Sequence, residues 1–195
     1  MKITVLSDNI APSNSSLKGE WGLSFHIVEN GKTYLLDTGA SSLFSENAES
    51  LGVNLSEVDI GILSHAHYDH SDGMDKFFSL NKTARFYISS NCNNSCYGKK
   101  FIFTKYIGIK KGLTDKHRDR IVRVNGTQKL GEGVHLICAS KESLISSHFA
   151  ITSSPPSLKM IGIIVICLGE ISGGNCNPFS SPQFGRQADR VCRTA

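Results

Sequence analysis

Residues 59–73 read DIGILSHAHYDHSDG, an apolar run followed by three histidines and an aspartate within six positions: His65, His67, Asp69 and His70. The run has the make-up of a short buried strand, while Met74, Phe77 and Phe78 recur at helical spacing just beyond it. The cluster therefore occupies a loop between a buried strand and an amphipathic helix. In extended backbone, residues two apart point the same way, so His65 and His67 can grip one cation. Asp69 and His70, where the chain turns into the helix, can face a second. Imidazole and carboxylate donors of this kind suit zinc, iron or manganese. A lone strand histidine is usually an ordinary core or surface residue, but three imidazoles this close would repel when protonated and need partners when buried. Metal binding is the reading that accounts for all four side chains.

Upstream of the cluster, KITVLS (2–7) and GLSFHIVE (22–29) read as strands, the second alternating Leu23, Phe25 and Ile27 against Ser24, His26 and Val28. Asn30-Gly31 is the pair that a tight primed hairpin turn prefers, and KTYLLD (32–37) returns as the partner strand. From 40 to 51 the period lengthens toward 3.6, with Phe44, Ala48 and Leu51 on one face, Ser41 or Ser42 able to cap, and Gly52 able to stop the helix. Further strands are expected over 84–89, 120–124 and 133–138. Strands alternating with helices predict an α/β architecture, and 195 residues without an internal repeat suffice for one domain with a sizeable core.

The second strand ends in LLDTGASS (35–42), and Asp-Thr-Gly is also how the catalytic loop of an aspartic protease is written. Such an enzyme needs two aspartates sharing a proton. One copy permits only a dimeric protease and leaves the histidines, 28 residues later, unexplained. Two readings of Asp37 remain: a turn cap at a strand end, or a support for the histidine loop.

Composition narrows the class further. With 39% hydrophobic and 19% charged residues the chain is ordinary for a soluble protein, no amino-terminal stretch has the pattern of a secretory signal, and MIGIIVICL (160–168) is about half the ~20 residues that span a bilayer. A cytosolic protein with no membrane partner is expected. In that compartment the six cysteines read as thiols, and Cys92 and Cys96 of CNNSC are assigned no role. The net charge of +4 is concentrated: nine basic residues (Lys99, Lys100, Lys105, Lys110, Lys111, Lys116, Arg118, Arg120, Arg123) oppose Asp115 and Asp119. That stretch is either a solvated face or an attractor for an anionic small-molecule substrate. Nothing in the sequence points to nucleic acid.

HAHYDH matches the His-x-His-x-Asp-His motif of the metallo-β-lactamase superfamily, and LLDTG resembles that family's first motif. The resemblance covers roughly residues 1–150 in the order strand, hairpin, Asp-Thr-Gly, helix, strand, histidine loop. Within the superfamily, SDN (7–9), WGLSFHIVENGKTYLLDTG (21–39) and YIGIKKG (106–112) are most similar to the branch named after dihydropterin-methyl-aminobenzene phosphate synthase. The resemblance implies an αββα sandwich and one or two divalent cations, zinc first, held by His65, His67, Asp69 and His70. It also implies that Asp69 both binds metal and orients the attacking hydroxide, and that Asp37 buttresses the histidine loop through hydrogen bonds.

A complete member draws a third histidine, a bridging aspartate and a final histidine from its second half. Here His26, His117, His135 and His148 all lack the Gly-rich strand-to-loop setting of that third ligand, and no histidine follows 148. Four of the five prolines and half of the cysteines fall after residue 150. Residues 151–195 are accordingly expected to be an atypical tail, from a shifted or truncated reading frame or a divergent, disordered ending, so that the second half of the sandwich is incomplete. Two function classes stay open. One is a metallohydrolase acting on an ester, thioester, lactone or phosphodiester; the other is an inactive fragment or binding module that keeps a residual metal clip and has an apolar sheet face available for self-association.

Overall fold

A computed structural model describes residues 1–90, 92, 96–100, 103–139 and 163–168. In chain order these form β1 (Lys2–Ser7), β2 (Ser24–Glu29), β3 (Lys32–Leu36), α1 (Leu43–Ser50), a 3-10 turn (Leu55–Glu57), β4 (Ile60–Ile62), α2 (Tyr68–Ser71) and α3 (Met74–Leu80). Then come β5 (Arg85–Ser89), β6 (Tyr97–Lys100), β7 (Phe103–Tyr106), α4 (Leu113–Lys116), β8 (Ile121–Val124), β9 (Thr127–Gly131), β10 (Val134–Ala139) and β11 (Ile163–Leu168). The main sheet has the order β1-β2-β3-β4-β5-β8: an antiparallel meander whose third strand starts a parallel run. Each parallel step needs a crossover, and α1, α3 and α4 lie in those crossovers.

Period-two alternation along these strands separates two cores. Leu6, Leu35, Leu63, Phe86 and Ile88 face α1 and α3, where Phe44, Ala48, Met74, Phe77 and Phe78 close the layer. Gly61 is required here because the Phe86 ring lies where its Cβ would be. On the other face Ile27, Tyr34, Ile62 and Val124 pack against Leu130, Val134 and Leu136 of a second sheet, ordered β11-β10-β9. Helices, sheet and second sheet are thus three successive layers of the expected sandwich. The apolar face expected to lie open for self-association is covered by the second sheet along this row. The apolar run over 160–168 contains β11, paired in parallel with β10.

Asn30 (φ 48°) and Gly31 (φ 74°) make the expected primed hairpin between β2 and β3. The helix expected over 40–51 is shorter, and Leu51, expected on its buried face, is its C-cap and 40% exposed. β6, β7 and β9 carry no clear alternation of apolar residues and were not anticipated. Pairing with a neighbour, rather than their own pattern, makes them strands. Among the described residues no helix is long and apolar enough to cross a membrane.

Candidate metal centre at the ends of β3 and β4

In parallel sheets, loops leaving the carboxyl ends of adjacent strands lie side by side, and ligands gather there. The register Leu36↔Ile62 places Asp37, just past β3, beside Leu63 and Ser64, just past β4, and the Asp37 N–H donates to the Ile62 carbonyl (2.8 Å). Asp37 is 2% exposed and left-handed (φ 58°), a conformation that aspartate and asparagine tolerate better than most residues. Its main-chain carbonyl accepts from the Ser24 hydroxyl (2.9 Å). Its carboxylate then meets both ends of the histidine loop. Oδ1 accepts the Ser64 N–H (2.7 Å); Oδ2 lies 2.6 Å from Ser64 Oγ and 2.7 Å from His70 Nδ1.

These contacts determine tautomers. A carboxylate only accepts, so Ser64 Oγ donates its one proton to Asp37, and the His65 Nδ1 that lies 2.9 Å from Ser64 Oγ must donate to it. His70 Nδ1 likewise donates to Asp37. Both rings therefore carry Nδ1–H and turn Nε2 away from the carboxylate. His65 Nε2 lies 3.0 Å from His67 Nδ1, and His70 Nε2 lies 3.9 Å from Asp69 Oδ2. The structure thus brings together all four predicted donors in the two pairs the sequence suggested, with Asp37 behind them. The centroids of the His65 and His70 rings are 4.0 Å apart.

The electrostatics keep two of the rings neutral. Burial first, then the neighbouring His70 and His67, push His65 down to about 2. His67 is also lowered, mainly by burial. For His70, burial opposes protonation, but the hydrogen bond and charge of Asp37 together with Asp69 outweigh it, and its pKa is raised.

Do these residues fit a cation? Two nitrogens bound at ~2.0–2.1 Å in a tetrahedral site sit ~3.3 Å apart. The His65–His67 pair at 3.0 Å needs an opening of only a few tenths of an ångström, with the His67 Nδ1 proton displaced. The donor set is chemically right. Among the described residues, however, no three donors already converge at metal-binding distances. His26 lies on β2, His135 on β10, and His117 bonds Asp75 (2.7 Å) while stacking on Phe78 (4.3 Å between centroids). His148 and Asp189 lie outside the described residues, as does most of the tail.

Two features of the site were not legible beforehand. Gly22 (φ 140°) lies against the main chain of Asp69, whose carbonyl would collide with any Cβ there, and Gly73 meets the Thr38 carbonyl in the same way. On the opposite side the loop after β7 props up the histidines: the Tyr68 N–H donates to the Ile107 carbonyl (2.8 Å), and His67 bridges Gly108. Beside this contact lies an open groove of about 390 Å³ lined by Tyr68, Asp72, Lys105, Tyr106, Gly108, Lys110 and Lys111.

The basic stretch divides accordingly. Arg120 donates to the carbonyls of Asn81 (2.6 Å) and Ala84 (2.6 Å), Arg123 donates to the Cys92 carbonyl (2.8 Å), and Lys116 pairs with Asp75 (2.9 Å). Those three are structural. Cys92 and Cys96 are both buried.

Over 81 residues the chain is 37% identical to the 7,8-dihydropterin-6-methyl-4-(beta-D-ribofuranosyl)-aminobenzene-5'-phosphate synthase of Methanocaldococcus jannaschii, covering 38% of this chain. It spans only about a quarter (27%) of that relative's length. Among solved structures it is similar to a subclass B3 metallo-beta-lactamase from a soil metagenome library (19% identity, 56% of this chain, 42% of that one, TM-score 0.39). Another is a metallo-beta-lactamase of Elizabethkingia meningoseptica (29% identity, 35% of this chain, 26% of that one, TM-score 0.32). The family model that matches residues 22–137 takes in Asp37, the histidine loop and the strands that hold them, and the chain belongs to the metallo-beta-lactamase superfamily.

Proposed function

We propose that the chain is a metal-dependent hydrolase acting on a small-molecule ester, thioester, lactone or phosphodiester. His65, His67, Asp69 and His70 hold one or two divalent cations, zinc before iron or manganese. The observation that carries this reading is the Asp37 network, which takes up the Nδ1 protons of His65 and His70 and turns their Nε2 atoms to the side where Asp69 and His67 lie. Second carboxylates of this kind fix ring orientation and raise ligand basicity. When bound, a divalent cation polarises a substrate oxygen and lowers the pKa of water toward ~7. Asp69 accepts a hydrogen bond from the attacking water and aims it, His65 and His67 stay neutral through burial, and Asp37 holds the loop in place. Residues 1–150 form the metal-binding part, and residues 151–195 are a compositionally distinct tail.

A second reading, a binding module with a residual metal clip, is favoured by the absence of a three-donor cluster among the described residues. One set of variants tests both. Elemental analysis should find metal in the purified chain and none in the His65→Ala/His67→Ala variant; unchanged metal content in that variant sinks the assignment. Assayed against generic phosphodiester, lactone and thioester substrates, Asp69→Ala should lose more turnover than Asp37→Ala. A metal-loaded chain that turns over none of them supports the binding module.

A further inference from the structure

The groove beside the histidine loop has a composition that metal binding does not explain. Tyr68 and Asp72 are one helical turn apart on the short helix that carries Asp69 and His70, so this wall of the groove and the donor cluster are two sides of one element. The facing wall is the 105–111 segment, tied to that element by the Tyr68–Ile107 hydrogen bond and the His67–Gly108 bridge. From it come Lys105, Lys110 and Lys111, all exposed. Lys116 pairs with Asp75, and Arg120 and Arg123 donate to main-chain carbonyls, whereas these three form no ion pair with an acid among the described residues; Lys111 lies over the Tyr106 ring, 5.4 Å from its centroid. Against the one carboxylate in the groove, Asp72, the three ammonium groups leave two positive charges over.

We infer that this groove seats a dianionic phosphate monoester group carried by the substrate, gripped by Lys105, Lys110 and Lys111 while the bond to be cleaved lies at the histidine loop. A phosphate monoester carries close to two negative charges at neutral pH, which matches the surplus. A carboxylate would leave one ammonium uncompensated. The inference rests on the hydrolase reading for its place in catalysis, but the groove's affinity does not depend on metal. It therefore separates substrates by a group remote from the reacting atoms, where binding energy is available to position them.

The test is a calorimetric titration of the full-length, metal-stripped chain with phenyl phosphate, with benzoate and benzyl alcohol as controls. Phenyl phosphate should bind, its affinity should fall as salt is raised, and benzoate and benzyl alcohol should bind more weakly or not at all. Lys110→Ala/Lys111→Ala should weaken binding by at least about ten-fold, the loss expected when charge-assisted hydrogen bonds are removed. Lys110→Arg/Lys111→Arg should retain binding, as should His65→Ala/His67→Ala. Unchanged affinity in the double alanine variant, or no binding by the parent chain, overturns the inference. Benzoate binding as tightly as phenyl phosphate overturns the dianion assignment. Loss in the histidine variant with retention in the lysine variant moves the anion to the metal loop and also overturns it. Failure of the metal reading would appear instead in metal content, which this titration does not use.

Discussion

Replacing Asp37 by asparagine should reverse the proton positions on two histidines while leaving the backbone in place. Asparagine tolerates the left-handed conformation at residue 37, so the change isolates the carboxylate. Three donors meet that carboxylate: the Ser64 N–H, the Ser64 hydroxyl and His70 Nδ1. The amide must keep its oxygen toward the Ser64 N–H, since the reverse orientation sets two donors against each other. Its NH₂ then occupies the place of Oδ2 and needs two acceptors. His70 can supply one by moving its proton to Nε2. Ser64 Oγ can supply the other by turning its proton toward His65 Nδ1, which moves the His65 proton to Nε2 as well. Every hydrogen bond is remade, at the loss of the charge-assisted ones, for a stability cost on the order of 2 kcal/mol. Both Nε2 atoms, however, now carry hydrogen where a lone pair is needed. Zinc affinity should fall about 10- to 100-fold, the range for lost outer carboxylates. Two-bond proton–nitrogen NMR of the metal-free protein reads the tautomers, and a competition titration reads zinc. Rings that lack Nδ1–H in the parent chain, or an asparagine variant with undiminished zinc affinity, would refute the reasoning.

Gly22→Ala should displace the Asp69 carbonyl, because the new Cβ overlaps it and φ 140° suits glycine alone; a melting temperature and zinc affinity equal to the parent's would contradict this. Asp75 has its pKa lowered, first by the hydrogen bond from Lys116, then by that from His117. A lowered aspartate pKa stabilises the fold above the ordinary value of 3.8 and loses that contribution as pH falls through the folded value, so Asp75→Asn should flatten the acid limb of stability below 3.8; parallel limbs in chemical denaturation would count against it. If the tail after residue 150 arises from a shifted frame, one of the other two frames downstream of codon 150 should encode a Gly-flanked histidine, then an aspartate, then a final histidine. Their absence from both frames would rule that origin out.

The candidate centre was legible in unequal parts. His65, His67, Asp69 and His70 stood out because four side chains able to donate to a metal lie within one short loop, where spacing alone reveals them. Asp37 was visible as part of a motif, but its role was not derivable from spacing: a left-handed aspartate at a strand end is equally a turn cap. The lysines of the 105–111 segment could not be told from Arg120 and Arg123, since all nine basic residues of that stretch look alike until their partners are known. Arg120 is occupied by the Asn81 and Ala84 carbonyls, and Lys110 and Lys111 face a groove.

By itself the sequence determined what depends on a few consecutive residues: the Asn30-Gly31 turn, set by positive φ; the alternation that sends Tyr34 and Leu35 to opposite cores; and the closeness of His65 to His67, two residues apart. Tertiary structure decided what depends on which strand edges meet. The parallel register of β3 with β4 carries Asp37 across 27 residues to Ser64, and through Ser64 and His70 fixes hydrogen on Nδ1 of two rings. It also makes strands of β6, β7 and β9, whose own sequences lack the pattern, and brings the 106–112 loop under the histidines. Local preferences are fixed by dihedral sterics within a few residues, whereas these contacts exist only once the sheet has assembled and closed loops tens of residues long.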